Sequence, residues 1–425
     1  MNGDKPTLRL RPGEGRRLRA GSPWVFSNEI AMKPEYRQMV PGGLVQIEGD
    51  DGARFGTFMF NPHSLIAARL LDRDPAAVVD LDWMRVRLRE AIALREHVCD
   101  TNFHRLVHAE ADRLPGLVID RYDDVVVLQA NTAGMDRLTP LLVEALTGLL
   151  PLRAVVARND AAARRQEGLP ENVALLSGLD ASVEVVEGGV RFPVDPLSGQ
   201  KTGWYFDQRP SRDRVAAVAN GARVLDVFCH LGAFGLRCAA AGASEVTLVD
   251  SSAPALAQAE QAAALNGISE RVRVRRDDAF DAMAAMAGER FDIVVCDPPA
   301  FAPARKDAAA GLRAYGRMAR LAAALVAPGG FLFVASCSHH ALLEAWAAQI
   351  ASGLHRARRE GRIVFTGGAG PDHPVHPHLP ESAYLKTQLI QVLYPTLPSW
   401  PSLTRPYRCT DGGIGWPGQA GQALP

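Results

Sequence analysis

The chain has 425 residues, 47% apolar and 22% charged, which at ~150 residues per domain allows two to four domains. Its 47 basic and 47 acidic side chains cancel, and 38 Gly and 29 Pro are spread along it, which excludes a disordered or collagen-like chain. Six cysteines with no C-x-x-C pair exclude a disulfide scaffold and a zinc ribbon, and no apolar run reaches the ~18 residues of a membrane span. The first 21 residues lack the apolar stretch of a secretory signal, so a reducing, cytoplasmic location is expected, with no membrane partner.

Residues 7–74 read as a small β-rich unit. Thr7 to Arg11 alternates at period two, turn signals follow at Pro12-Gly13 and Pro41-Gly42-Gly43, and Leu44–Ile47 and Phe55–Phe60 are strand-like. Arg9, Arg11, Arg16, Arg17 and Arg19 give this unit a basic segment that suits a phosphate backbone and equally suits a solvated face. The lysines are Lys5, Lys33, Lys201, Lys306 and Lys386, so the cations are nearly all Arg, as nucleic-acid contacts or a GC-rich genome would produce.

Residues 80–185 read as a small α+β linking domain. Trp83–Val98 carries a helical stripe through Met84, Leu88 and Ile92, and Leu138–Leu150 is a second helix. Leu117–Ile119, Val125–Leu128 and Ala154–Ala157 are strands. From 186 to 395 strands alternate with helices. Strands are expected at 223–227, 245–249, 272–275, 291–296 and 330–335, and helices at 233–242, 253–266, 279–287, 308–327 and 339–353. This is the pattern of a parallel, doubly wound, Rossmann-like sheet. A β pair at 363–365 and 384–393 closes the domain, and the aperiodic tail 396–425 reads as disordered.

Acids sit at the ends of four consecutive strands: Asp226, Asp250, Asp278 and Asp297. A helix N-cap explains any one of them; four together describe a ligand crevice at the carboxyl edge of the sheet. The turn after Asp226 places Phe228 and His230 where dinucleotide binders carry Gly, which argues against NAD, while Gly232 opens the helix. Asp250 is placed to hold ribose hydroxyls, and Asp278 with Ala279 to meet an adenine edge. The layout resembles the class I S-adenosylmethionine methyltransferases.

Asp297-Pro-Pro resembles the catalytic motif of nucleic-acid methyltransferases, although Ala300 separates the prolines from Phe301. Cys337 leaves the fifth strand at the same edge. Carbon-5 of a pyrimidine becomes nucleophilic once a thiolate adds at carbon-6, so a cysteine here points to C5 methylation, with a small buried residue as the bland alternative. A helix N-terminus after Ser338 is expected to lower the thiol pKa. His373, His376 and His378 read as an ordered loop rather than a metal site.

Several segments in order resemble the PUA-domain-containing 23S ribosomal RNA cytosine-C5 methyltransferases: 21–30, 61–69, 110–122, 203–209, 372–375 and 384–386. The resemblance implies a PUA module, a small mixed domain and a methyltransferase domain, with S-adenosyl-L-methionine as donor. It implies Cys337 as nucleophile, Asp297 at the target base, and Asp207, Gln208 and Arg209 near the methionine end of the cofactor. A homodimer and 23S rRNA as partner are implied as well. His230-Leu231 replaces a pair that is usually aromatic-Thr in the family, which bears on the cofactor turn. An RNA base must be splayed out to reach a recessed thiolate. Arg9, Arg16 and Arg17 are then candidates for the backbone, and Tyr205 and Phe301 for base stacking, with core packing favoured for Trp24 and Phe26. Uracil C5, guanine N2, or a non-catalytic role in ribosome assembly are the alternatives.

Overall fold

The computed structural model describes residues 5–197 and 203–393; the 396–425 tail lies outside them. The N-terminal unit holds β1 (Thr7–Arg9), α1 (Arg16–Arg19), β2 (Trp24–Val25), α2 (Pro34–Arg37), β3 (Gly43–Glu48), β4 (Arg54–Phe60) and β5 (Ala68–Asp72). Its sheet runs β1-β3-β4-β5-β2. Alternation buries Leu8, Val45, Ile47, Phe58 and Phe60 in one small core.

The middle unit holds α3 (Leu81–Val98), β6 (Phe103–His108), β7 (Leu117–Tyr122), β8 (Val125–Ala130), α4 (Ala133–Leu149), β9 (Ala154–Asn159), α5 (Ala163–Gln166) and β10 (Asn172–Ser177). They form a β10-β9-β8-β7-β6 sheet with α3 and α4 packed together. Asp80 caps α3 by accepting from Trp83 N at 2.9 Å. The α3 stripe buries Met84, Leu88 and Ala91, and ends in Arg95, only 1% exposed. That guanidinium is neutralised by Asp112 and also donates to Asp372 O at 2.8 Å, which ties this unit to the C-terminal domain.

The N-terminal unit is docked as firmly. Trp24 Nε1 donates to Glu110 at 2.7 Å, Arg69 pairs with the same carboxylate, and Asn61 donates to Glu167 at 2.8 Å. Trp24 is therefore a domain-docking residue, half-buried rather than part of the core.

The hairpin β11 (Val183–Glu187) and β12 (Val190–Val194) straddles residues 185 and 186, where the sequence reading ends the middle domain. Val185, Val190 and Phe192 lie in one core shared by the middle and C-terminal sheets, and β12 packs chiefly on the helix Ala253–Leu265, so the hairpin goes with the C-terminal domain. That domain continues with α6 (Arg209–Ala216), β13 (Arg223–Val227), α7 (Ala233–Ala240), β14 (Glu245–Asp250), α8 (Ala253–Leu265), β15 (Val272–Arg276) and α9 (Ala279–Ala285). It ends with β16 (Phe291–Cys296), α10 (Ala308–Leu325), β17 (Val326–Ser336), α11 (Leu343–Arg356), β18 (Gly361–Gly367) and β19 (Lys386–Val392).

The seven-stranded order is β15-β14-β13-β16-β17-β19-β18; β13 to β17 are parallel and β19 is antiparallel to its neighbours. Alternating residues fill two cores. Val224 and Ile293 face one side, and Leu225, Val294 and Cys296 the other. No helix among the described residues is long and apolar enough to cross a membrane.

Candidate active site

The chain leaves β13 toward β14 on one side and returns as β16 on the other, so the strand order reverses beside the carboxyl end of β13. A crevice opens at such a point because the two crossovers diverge. Asp226 is the penultimate residue of that strand, 1% exposed, and accepts from Gly235 N at 2.9 Å. Burial first, then the nearby charges of Asp297 and Asp250, push its carboxyl up to about 8. The three acids therefore share one electrostatic site, which favours a cationic ligand.

The turn after Asp226 is left-handed at Phe228 (φ 60°), His230 (φ 50°) and Gly232 (φ 72°). Non-glycine residues rarely adopt this conformation, and bulky ones store strain there. These are positions where related turns use glycine, which gives the Phe228 and His230 departures a physical meaning: the backbone shape is kept and the strain is held by packing. A Cβ at Gly232 would also come within 2.8 Å of Leu248. The turn swings His230 N onto Asp250 Oδ2 at 2.9 Å, while Ser252 N donates to Oδ1 at 2.8 Å. Asp250 is thus held rigid with lone pairs remaining on both oxygens.

Asp278 is exposed and caps α9, accepting from Phe280 N at 2.8 Å and Asp281 N at 3.1 Å through one oxygen. Ala279 is buried beneath it. Phe228, Phe280 and Phe301 form a three-ring cluster with centroids about 6 Å apart, and Phe301 also packs on Tyr315 at 4.8 Å. Phe301 remains partly exposed.

On the opposite wall, Gln208 Nε2 donates to Asp297 Oδ1 at 3.0 Å and Tyr384 OH donates to Asp207 Oδ2 at 2.5 Å. Asp207 Oδ1 and Gln208 Oε1 are buried acceptors with no hydrogen-bond partner. Buried acceptors call for donors, and an ammonium-bearing ligand supplies them. Tyr205, edge-on to His230 at 5.6 Å, is raised in pKa by burial and by the charges of Asp297, Asp207 and Cys337, so its ring lies among all three. Arg209 points elsewhere: its guanidinium donates to Phe103 O and lies 3.6 Å from Glu187. That side chain joins domains, in contrast to the cofactor contact the resemblance implied.

Cys337 is half-buried just past β17, between two buried serines. Ser336 Oγ donates to Tyr315 OH at 2.8 Å. The Tyr315 hydroxyl meets Ser338 Oγ at 2.9 Å, and Ser338 Oγ accepts from Ala302 N at 3.1 Å. This hub fastens the cysteine to the loop that follows Asp297-Pro-Pro. The expected helix directly after Ser338 is displaced: α11 begins at Leu343. Sequence reasoning passed over Tyr315, a lone tyrosine in an Ala-rich helix, and the serines on either side of Cys337 were its available signal.

Of the N-terminal arginines, Arg9 pairs with Glu48 at 3.3 Å and Arg19 with Asp51 at 2.8 Å. Arg17 lies over Phe26, 4.6 Å from the ring centroid, and Arg16 is exposed on α1. Among the described residues no group of three or more His, Cys, Asp or Glu is placed to hold a metal. His373 instead pairs with Asp372 at 2.9 Å.

Residues 8–73 match the PUA-like domain family, and residues 162–361 match the S-adenosylmethionine-dependent methyltransferase family. A protein from Streptococcus mutans assigned as a SAM-dependent methyltransferase superposes with a TM-score of 0.76 at 19% identity, covering 91% of this chain and all of that one, which shows the shared fold. Fold, crevice and these matches define an S-adenosylmethionine-dependent methyltransferase carrying a PUA-like domain. The chain is 34% identical over 397 residues to ribosomal RNA large subunit methyltransferase I of Shewanella denitrificans, covering 91% of this chain and 99% of the relative. It is 35% identical over 391 residues to the Photobacterium profundum protein of that name, covering 89% and 98%. It belongs to the ribosomal RNA large subunit methyltransferase I family.

S-adenosylmethionine fits the site by charge and by the orphaned acceptors. Asp250→Ala is expected to weaken S-adenosylhomocysteine binding by about ten- to a hundredfold, the worth of hydrogen bonds to a charged acceptor. Isothermal titration checks this; an unchanged affinity would remove Asp250 from the cofactor site.

Proposed function

We propose that the protein methylates carbon-5 of a cytosine in 23S ribosomal RNA, with Cys337 as nucleophile. One observation carries the reading: a half-buried thiol, fixed by the Ser336–Tyr315–Ser338 hub, stands at the same sheet edge as Asp297 and the acids of the cofactor crevice. S-adenosylmethionine supplies an electrophilic methyl group. The Cys337 thiolate adds to carbon-6, which makes carbon-5 enolate-like and able to take that methyl. Loss of the carbon-5 proton to a base then re-forms the ring double bond and expels the thiolate.

In this reading Asp226, Phe228, Gly232, Asp250, Asp278, Ala279 and Gln208 line the cofactor crevice, while Asp297 faces the base. Tyr205 and Phe301, both partly exposed, flank the splayed nucleotide. Arg16 and Arg17 are the better placed of the basic residues for the RNA backbone, because Arg9 is already engaged by Glu48. A cytoplasmic location and a homodimer belong to the same proposal, the second read by sedimentation equilibrium.

The test uses methyl-labelled S-adenosylmethionine and deproteinised 23S rRNA from cells lacking the gene, with the labelled nucleoside identified by mass spectrometry. 5-Methylcytidine is the expected product. Label in 5-methyluridine would keep the thiolate chemistry and change the base. Label on a guanine would return Cys337 to a packing role.

A further inference from the structure

Methyl transfer through Cys337 needs a thiolate near neutral pH, and an ordinary thiol with a pKa near 8.5 is mostly protonated there. The helix that was expected to supply positive potential begins too late, at Leu343. A cation stands there instead. β19 begins at Lys386, directly opposite Ser336 in the antiparallel pairing with β17, so this side chain rises beside the residue preceding the cysteine. Lys386 Nζ donates to Ser338 O at 2.9 Å and to Tyr384 O at 2.9 Å. These two carbonyls bracket the cysteine loop and fix the ammonium. An ammonium has three N–H bonds, and two are engaged here.

Burial lowers the Lys386 pKa, and the charge of Cys337 opposes that, as expected of an ammonium held on Ser338 O, the carbonyl of the residue that follows the thiol. Tyr205 before α6 and Tyr315 on α10 also sense Cys337. Both phenols are raised in pKa by burial and stay neutral near pH 7. The charge of Asp297, felt through the same Tyr205, works against a second anion. His339 and His340 follow Cys337 toward α11, and His339 is held toward its neutral form by burial. The fixed positive charge in this set is Lys386.

We propose that Lys386 is the positioning residue that holds Cys337 as a thiolate, through a charge locked between the Ser338 and Tyr384 carbonyls. The proposal rests on the nucleophilic reading of Cys337 for its purpose, and its test does not depend on that reading.

The test is the pH profile of Cys337 alkylation by iodoacetamide in the full-length protein, quantified by peptide mass spectrometry. Reading the Cys337 peptide alone separates it from the other thiols. Wild type is expected to react with a midpoint below the ordinary thiol range. Lys386→Gln keeps donors for the two carbonyls and loses the charge; its midpoint is expected to rise by about one unit, a roughly tenfold slower reaction at pH 7. Lys386→Arg keeps the charge and is expected to stay near wild type, which a purely structural role for the lysine would not predict. A Gln variant that folds, binds S-adenosylhomocysteine and alkylates with the wild-type profile would overturn the proposal. So would equal upward shifts in the Gln and Arg variants. A Cys337→Ser enzyme that still turns over would instead sink the nucleophilic reading and leave the alkylation result standing.

Discussion

Replacing Cys337 with Ala is expected to abolish methyl transfer, by about a thousandfold or more, while leaving cofactor affinity within roughly twofold of wild type. The asymmetry follows from where the thiol sits. Its neighbours Ser336 and Ser338 are fastened to Tyr315 and to Ala302 N by their own oxygens, and none of those bonds uses the cysteine Sγ. Removing one half-exposed sulfur therefore leaves the hub in place and opens no core cavity. The cofactor turn from Asp226 to Gly232 is held by Gly235 on α7 and by Leu248 and Asp250 on β14, away from β17. Cys337→Ser sharpens the test, because a hydroxyl at the same place is far less acidic and cannot replace a thiolate. Label incorporation and calorimetric titration with S-adenosylhomocysteine read the two halves. Turnover at the wild-type rate in the Ala variant would remove the covalent route. RNA carrying 5-fluorocytidine adds a positive readout: without a removable carbon-5 proton the Cys337 adduct is expected to persist on wild type and to be absent from the Ala variant.

The catalytic sheet was legible because its central strands are buried on both faces. Runs such as Phe291–Cys296 carry their own boundaries, and the strand at 223–227 matches the sequence reading residue for residue. The acids at the strand ends were visible for the same reason: a charged residue stands out where an apolar run stops. The middle unit hid two strands. β6 reads as polar because His104 and Arg105 lie within it; His104 bonds Thr101 O close by in sequence, whereas Arg105 pairs with Asp120 on β7 and its amide donates to Asp372, 267 positions away. β10 is a half-exposed edge strand with no clean alternation.

The same limit applies to the site. Cys337 and Asp297 follow from strand endings, whereas Lys386, Tyr315 and the orientation of Arg209 are products of tertiary pairing. The antiparallel β17–β19 register brings Lys386 to the cysteine loop, and no local pattern announces it.

Glu187→Gln is expected to cost about 3–5 kcal/mol of stability. Glu187 is 3% exposed at the end of β11. Its Oε1 accepts from Arg212 at 2.5 Å and Arg237 at 3.0 Å, and its Oε2 from Arg212 at 2.7 Å and Trp204 Nε1 at 3.1 Å. Gly188, left-handed at φ 55°, lies so close under Arg237 that a Cβ there would meet its guanidinium. Neutralising the one acid that faces Arg212 and Arg237 together leaves buried cations without adequate compensation, and Asp213 relieves only Arg237.

Burial pushes the Glu187 carboxyl up, but Arg212, Arg209 and the Trp204 hydrogen bond outweigh it and hold the group at about 2. The folded pKa is depressed below the unfolded value of roughly 4.3, so this stabilisation is complete above that value and is lost as pH falls toward 2. Chemical denaturation followed by tryptophan fluorescence should show a wider gap between wild type and variant at pH 7 than at pH 3. A pH-independent gap would mean that shape and not charge carries the effect. The consequence extends to catalysis, because Arg212 also donates to Tyr205 O at 2.8 Å. That bond anchors the segment whose next residues are Asp207 and Gln208, the latter bound to Asp297. Loosening it is expected to lower turnover in the folded variant while Cys337 alkylation stays as in wild type, since the hub around the thiol belongs to β17 and α10.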